Sequence, residues 1–144
     1  MTEKQNLKKK KHHLEIDHIV LTVSDIEKTI SFYCNELGMR VENFSSKPNY
    51  EIRKCLKFGK QKINLHSIKN LIKPGAIKPI AGSADICFIS SKPIKEWQRQ
   101  FAKNSIKIVH GPVKQIGATS TLYSIYIRDP DQNLIEISNK INQN

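Results

Sequence analysis

The sequence predicts an α+β fold made of two tandem βαβββ modules, whose curved mixed sheets together form a cup. Three observations predict this fold. A strand of alternating polarity runs into a helix over residues 16–37, and the same unit returns when Asp85 is aligned with His18. Short strands separated by turns follow each helix. A segment broken by proline and glycine, residues 70–83, forms a linker between the two units.

The first strand, residues 16–23, ends in a helix-cap pattern. Alternate residues of a strand point to opposite faces, so His18 lies on the face opposite Leu21. Ser24 followed by Glu27 has the spacing of a capping box, in which each side chain satisfies a free backbone amide. The pattern therefore predicts a helix that begins directly after Ser24.

The rest of module one follows from turn signals. The helix is expected to end at Gly38, since glycine tolerates the left-handed conformation of a helix C-cap. Three strands are then predicted at residues 39–44, 50–58 and 62–68, with turns at 47–49 and 59–61. Module one thus spans residues 14–69 in the order strand, helix, strand, strand, strand.

Module two, residues 84–139, repeats this order. Ile94, Trp97 and Phe101 have the spacing of a helix face that packs on a core. The predicted elements are a strand at 85–90, a helix at 93–102, a strand at 106–109 ended by Gly111-Pro112, a loop at 113–120, a strand at 121–128, a turn at 129–133 and a strand at 134–138. Residues 14–144 therefore form a single domain.

The composition is that of a globular protein with a hydrated surface. Of the 144 residues 38% are hydrophobic and 26% are charged, and no apolar run is long enough to span a membrane. The charged N-terminus does not resemble a secretory signal. Three scattered cysteines, Cys34, Cys55 and Cys87, fit buried or half-buried hydrophobic roles in a reducing compartment. We therefore expect a cytoplasmic protein without membrane contact.

The formal net charge is +11, and part of it lies in a tail. Residues 1–13 hold five lysines and one glutamate, so this basic segment, which is expected to be disordered, supplies +4. Such a tail can attract nucleic acid, but the chain lacks the interleaved aromatic and basic stripe of nucleic-acid binders. We expect a small-molecule partner rather than nucleic acid.

Four polar residues recur at matched places in otherwise apolar strands. Aligning the last strands of the modules makes Asn64 equivalent to Glu136. The first strands make His18 equivalent to Asp85, and His66 shares the face of Asn64 by alternation. Glu136 stands between two isoleucines and has to be paired, ligated or directed into a wet cavity, since burying a bare charge is costly. A set of His18, His66, Asp85 and Glu136 would suit zinc, nickel, cobalt, manganese or ferrous iron.

Each residue also has a structural alternative. His18 could be a hydrogen-bonded core histidine, and Asp85 could cap amides of the linker. Glu136 could pair with Arg128 or Lys114 across the sheet. The recurrence at duplicated positions favours a shared site, because clustered titratable groups in a cleft are a usual mark of function.

Three stretches resemble the vicinal oxygen chelate superfamily, which includes glyoxalase I, extradiol dioxygenases, fosfomycin-modifying enzymes, methylmalonyl-CoA epimerase and bleomycin-binding proteins. They are HIVLTV at residues 18–23, FYCNELGM at 32–39 and DPDQNLIE at 129–136. Residues 58–66 and 82–85 are similar to those of small glyoxalase-domain proteins. The resemblance spans residues 14–139.

The resemblance implies a divalent metal inside the cup and a homodimer. The ligand position of the first strand falls on His18, and that of the last strand falls on Glu136. Asn64 stands where glyoxalase-like members usually have Glu or Gln, and Asp85 stands where they have His or Gln. His66, two residues beyond Asn64 on the same face, is expected to reach in as a second imidazole.

The resulting prediction is a metal-dependent glyoxalase-like enzyme, a lyase or isomerase similar to lactoylglutathione lyase, that acts on a small oxygen-chelating substrate. Glu136 is the expected catalytic residue, and Asn64 and Arg53 are expected to contact the substrate. Two alternatives stay open: a ring-cleaving, extradiol-type dioxygenase, and a metal-free binding or resistance protein of the bleomycin-binding type.

Overall fold

The chain folds into two four-stranded sheets, each with one helix. The computed structural model describes residues 13–45 and 49–141. The elements are β1 (His18–Val23), α1 (Ile26–Asn35), β2 (Arg40–Ser45), β3 (Ile52–Phe58), β4 (Gln61–Ser67), β5 (Asp85–Ile89), α2 (Ile94–Lys103), β6 (His110–Ile116), β7 (Thr121–Arg128) and β8 (Leu134–Lys140). Sheet one has the order β1-β4-β3-β2 and sheet two the order β5-β8-β7-β6. The predicted α+β fold of two βαβββ modules is confirmed.

One face of each sheet joins a common core. Leu21 and Val23 of β1 are buried with Ile135 and Ile137 of β8, as the alternation of apolar residues predicts. The predicted helix stripe, Ile94, Trp97 and Phe101, is buried in the same core. Because both modules contribute to this core, the opposite faces of the two sheets are left to form a site.

Tyr33 and Asp129 join the modules through a buried hydrogen bond. The Tyr33 hydroxyl donates to the Asp129 carboxylate over 2.7 Å. That carboxylate also accepts from the backbone amides of Asp131 and Asn133 and from the Asn133 side chain. Burial first, and then the Asp129 charge, raise the pKa of the Tyr33 hydroxyl, so it remains a donor at physiological pH.

The start of α1 differs from the prediction. Asp25, not Ser24, is the N-cap, and its side chain accepts from the Lys28 amide over 3.0 Å. The backbone amide of Ser24 instead donates to the Asp131 carboxylate of module two. A contact between modules therefore takes Ser24 away from the helix, and the aspartate one residue later caps it equally well. The helix ends at Asn35, earlier than the predicted end at Gly38. Gly38 does take the predicted left-handed conformation, with φ +72°, in the turn that follows.

The strand β6 also corrects the prediction. The sequence predicted a strand at 106–109 and a loop at 113–120, whereas the structure has one strand at His110–Ile116. Gly111 and Pro112 lie inside this strand. Proline is tolerated there because β6 is the outer strand of sheet two. The register shifts between His110 and Val113, and Gly111 takes φ +91°, which marks a bulge rather than a strand end.

Other expectations fall partly outside the described residues. Residues 1–12 of the predicted tail and residues 47 and 48 of the predicted turn lie there. The linker contains neither helix nor strand, as expected. Within residues 13–45 and 49–141, every helix is too short or too polar to cross a membrane.

Candidate functional site

The candidate residues lie on the sheet faces that point away from the common core, which we call the open faces. In sheet one, pairing places His18 beside Lys62 and Val20 beside Asn64, so these four side chains share the open face. This open face is partly exposed to solvent, and Val20 on it is 49% exposed. In sheet two the open face carries Asp85, Cys87 and Ile89 of β5 and Glu136 of β8.

The two modules present their polar residues on the same diagonal. His18 pairs with Lys62, and Asn64 lies two residues further along β4. Asp85 pairs with Leu134, and Glu136 lies two residues further along β8. Each diagonal spans about 8 Å between Cα atoms from ordinary strand geometry. The equivalences predicted from the duplicated sequence therefore agree with the strand registers.

His18 is oriented by its neighbour Asp17. The ring Nδ1 lies 2.7 Å from the Asp17 carboxylate, and Nε2 lies on the other side of the ring from this contact. The hydrogen bond with His18 lowers the pKa of the Asp17 carboxyl, and the charges of Lys62 and Lys57 add to the effect. A carboxylate on the second ring nitrogen is the arrangement that orients metal-binding histidines in proteins.

Asn64 carries a buried oxygen with an unmet hydrogen-bonding capacity. The residue is 9% exposed, and among the described residues its Oδ1 has no hydrogen-bond partner. The buried Nε of Arg53 is in the same condition. A buried polar atom without a partner costs about 1–3 kcal/mol. A metal ion or a ligand donor at Asn64 would remove this cost, so the residues of sheet one fit an added group.

Glu136 is held by two buried hydroxyls. Ser124 and Ser138 approach the same carboxylate oxygen, Oε2, at 2.7 and 3.1 Å, and their own hydroxyls lie 2.6 Å apart. Each hydroxyl has one hydrogen, so only part of these contacts can be donated at once. Arg128, considered as a partner from the sequence, instead donates to the Gln132 carbonyl. Two hydroxyl groups therefore position the carboxylate.

Two further residues surround Glu136 that the sequence did not indicate. Cys87 pairs with Glu136 in the sheet and places its sulfur 3.3 Å from the Ser138 hydroxyl. Tyr126 pairs with Glu136 from the other side. Burial and the Glu136 carboxylate raise the pKa of Tyr126 to about 12, and partial burial raises the pKa of the Cys87 thiol. Cys87 is exposed, whereas we predicted a buried or half-buried residue.

The structure does not bring His66 to His18. His66 lies four residues along β4 from Lys62, the partner of His18. This offset corresponds to about 13 Å along the strands. Burial and the nearby Arg53 charge lower the pKa of His66. His66 remains a predicted ligand that metal analysis of variants can test.

The predicted metal ligands lie on two different sheets of the chain. Within the part of the chain that the structure describes, no group of three or more His, Cys, Asp or Glu residues lies close enough to hold a metal ion. His18 and Asn64 form one half-site on sheet one, and Asp85 and Glu136 form another on sheet two. His18 also borders a cavity of about 170 Å³ with Cys87, the strand partner of Glu136. A site with all four residues would have to combine the two half-sites.

Comparison with known proteins decides the family. A model of the Glyoxalase/Bleomycin resistance protein/Dioxygenase superfamily matches residues 15–137. The chain belongs to this superfamily. It is 50% identical over 137 residues to virulence protein STM3117 of Salmonella typhimurium, which covers 90% of this chain and 92% of that protein. It is also 46% identical to the glyoxalase domain-containing protein RDO1 of Mycosarcoma maydis, over 85% of this chain and 66% of that protein.

Solved structures give the same result for the fold of this superfamily member. The crystal structure of the Salmonella virulence protein superimposes with a TM-score of 0.81 over 90% of this chain and 99% of that chain. An integron cassette protein from the mobile metagenome of V. Cholerae, 41% identical, reaches 0.82 over 89% of this chain and 96% of that chain. A lactoylglutathione lyase from Agrobacterium tumefaciens, 22% identical, shares the fold with a TM-score of 0.63 over 87% of this chain and 92% of that chain.

Proposed function

We propose that this protein is a metal-dependent enzyme of the glyoxalase-like type, a lyase or isomerase that acts on a small substrate with two neighbouring oxygens. His18, Asn64, Asp85 and Glu136 would hold the metal. The observation that carries the proposal is the support given to two of them: Asp17 orients His18, and two buried hydroxyls orient Glu136. Such supporting contacts are typical of metal-binding and catalytic side chains.

The half-sites support a homodimer. In the proposed arrangement, the open face of sheet one in one copy meets the open face of sheet two in another. Val20 and Ile89, the apolar neighbours of the half-site residues, are 49% and 52% exposed in a single chain, and covering them would stabilise the pair. A two-fold axis would then create two equivalent sites.

The chain's own groups suit proton transfer beside a polarised substrate. A bound divalent metal supplies Lewis-acid polarisation of the two substrate oxygens. Glu136, held by the hydroxyls of Ser124 and Ser138, can take a proton from the neighbouring carbon and return it. Tyr126, with its pKa raised to about 12, stays protonated at neutral pH and can donate a hydrogen bond within the site.

A metal-free binding protein is the second candidate function. Asn64 supports it, because a carboxamide oxygen is a poor ligand for zinc or ferrous iron but accepts a hydrogen bond from a ligand readily. An antibiotic binding protein from Streptomyces sp. CB03234, 14% identical, has the same fold with a TM-score of 0.66. The dioxygenase alternative needs a second histidine near His18, and the register places His66 about 13 Å away along the strands.

Metal analysis of the purified protein tests the proposal. We expect about one divalent ion per chain after loading and dialysis, measured by inductively coupled plasma mass spectrometry. H18Q and E136Q should lose the ion, whereas E96Q, which changes an exposed carboxylate of α2, should retain it. H66Q tests the predicted second imidazole. If wild-type protein binds none of the candidate metals, the enzymatic proposal is wrong and ligand binding without metal is favoured.

A further inference from the structure

A row of basic side chains crosses the open face of sheet one at the level of His18. His18 pairs with Lys62, Lys62 pairs with Lys57, and Lys57 pairs with Arg40. Neighbouring strands lie about 4.8 Å apart. We call Arg40, Lys57 and Lys62 the basic row. It begins beside the proposed metal ligand and runs outward across three strands.

The basic row is not expected to stabilise the sheet. Like charges directly opposite each other on neighbouring strands are destabilising. Glu42 reaches Lys57 at 3.4 Å, but both side chains are substantially exposed and such a pair contributes little. The Nζ of Lys62 lies 4.3 Å from the centre of the Phe44 ring. The nearby Asp17 carboxylate makes its 2.7 Å contact with His18, and its pKa is lowered by that hydrogen bond first and then by the Lys62 and Lys57 charges. The row therefore keeps an excess of positive charge.

The same cations line a concave cavity. Arg40, Lys57 and Lys62 border a space of about 230 Å³ together with Lys60, Asp17, Gly59 and Gln61. Lys60 enters through the tight turn between β3 and β4, where Gly59 takes φ +53°. Asp17, the one carboxylate in this lining, is already engaged by His18. Four basic residues thus border a volume that can hold a carboxylate or phosphate group.

We propose that this cavity binds an anionic oxygen group, a carboxylate or phosphate, carried by the substrate. The inference rests on the proposed function, since it takes His18 as the position of the reacting oxygens. Lys62 is one strand spacing from His18 and Lys57 is two, so the anionic group lies about 5–10 Å from the reacting oxygens. The substrate class is therefore a small acid or phosphate ester with an anionic arm.

The donor types fit one compact oxyanion. Arg40 offers a planar guanidinium suited to two oxygens at once, and lysine ammonium groups act as point charges on the remaining oxygens. These basic residues border one concavity. A single oxyanion is therefore favoured over the backbone of a nucleic acid, which requires a long groove.

Anion titration of the full-length, chelator-treated protein tests the inference. Inorganic phosphate and malonate are titrated separately by isothermal calorimetry at low salt, which distinguishes phosphate from carboxylate recognition. We expect saturable binding of at least one of them with one site per chain. The variant K57M/K62M should bind at least about tenfold more weakly, because each of its two substitutions removes a charge-assisted hydrogen bond to the anion. Methionine keeps the apolar stem of each lysine.

Matched controls separate local recognition from net charge. The variant K95M/K107M removes two exposed lysines of module two and should leave the affinity unchanged. R40Q provides an independent test of the basic row if K57M/K62M does not fold, as judged by circular dichroism. Equal weakening in K95M/K107M and K57M/K62M, or the absence of saturable binding in the wild type, would overturn the inference.

The outcome for this inference can be distinguished from that for the proposed enzyme. If wild-type protein binds phosphate or malonate but takes up none of the candidate metals after loading, the proposed enzyme is refuted and the anion site stands. If the protein binds metal but neither anion, the anion site is refuted and the proposed enzyme stands. Salt-sensitive binding of duplex DNA that is lost in K57M/K62M, with neither small anion bound, would assign the basic row to nucleic acid and overturn the inference.

Discussion

The Asp17 carboxylate lies 2.7 Å from Nδ1 of His18, and this contact sets the orientation of the imidazole. Asp17 directly precedes the edge strand β1 and His18 begins it. Their side chains are 82% and 42% exposed, so the contact adds little to folding. Its value lies in fixing which ring nitrogen is offered to a ligand. A residue with this role should affect metal affinity more than stability.

The variant D17N tests this role. We expect metal affinity to fall about tenfold or more, as is typical when the hydrogen-bond partner of a histidine ligand is changed. Thermal stability should change little. Competition with a chromophoric chelator gives the affinity, and E15Q, which changes a nearby exposed carboxylate, is the control. Equal affinities in D17N and E15Q would show that Asp17 does not position His18.

Ser124 and Ser138 should act as alternatives to each other. Both reach Oε2 of Glu136, and each can still donate when the other is absent. We therefore expect S124A and S138A to weaken metal binding modestly and S124A/S138A to weaken it by more than the product of the two single effects. The same chelator competition measures all three. S31A, which changes an exposed serine of α1, is the control. If the loss of metal affinity in the double variant equals the product of the two single losses, the two serines do not share one function.

The sequence predicted the parts of the site that lie within single strands. His18, Asn64, Asp85 and Glu136 could be aligned because the module is duplicated and strands alternate. Ser124, Tyr126 and Cys87 were missed because they reach Glu136 through strand pairing, which one strand does not reveal. Alternating polar residues in β7 were the available signal.

Two parts of the predicted fold are wrong, for different reasons. Gly111-Pro112 was interpreted as a strand end, but an outer strand accepts both residues at a bulge. Ser24 was taken as the helix cap because its spacing to Glu27 is favourable. The side chain of Glu27 instead accepts from Lys54, and Ser24 contacts module two. Contacts between distant segments overrode local patterns in this second case.

Loss of the Tyr33 hydroxyl should destabilise the joint between the modules. In Y33F the buried Asp129 carboxylate loses one donor, which we expect to cost about 1–3 kcal/mol in the free energy of unfolding. Urea unfolding followed by circular dichroism measures this. Y50F, at a tyrosine that is 62% exposed, should differ from wild type by much less. Equal effects of the two changes would show that the hydrogen bond does not stabilise the joint.

His66 should make stability depend on pH. Burial and Arg53 lower the pKa of His66 in the folded state, so the unfolded chain binds the proton more readily. The contribution of the neutral ring is fully present above the unfolded pKa and is lost as the pH falls through about 6.5 toward the folded pKa. Relative to H66Q, the wild type should therefore lose stability from about pH 7.5 to about pH 5. The free energy of unfolding is measured with urea at each pH for both proteins. If it changes with pH equally in wild type and H66Q, this expectation is wrong.

The central claim is that His18 of one copy and Glu136 of another complete each metal site, and a mixed dimer tests it most directly. H18Q and E136Q are coexpressed with different affinity tags, and the mixed dimer is purified by both tags. In this dimer one interface combines both intact residues and the other combines both substitutions. We predict about one metal ion per mixed dimer and none in either variant alone. A mixed dimer without metal, beside wild-type protein that binds it, would contradict the claim.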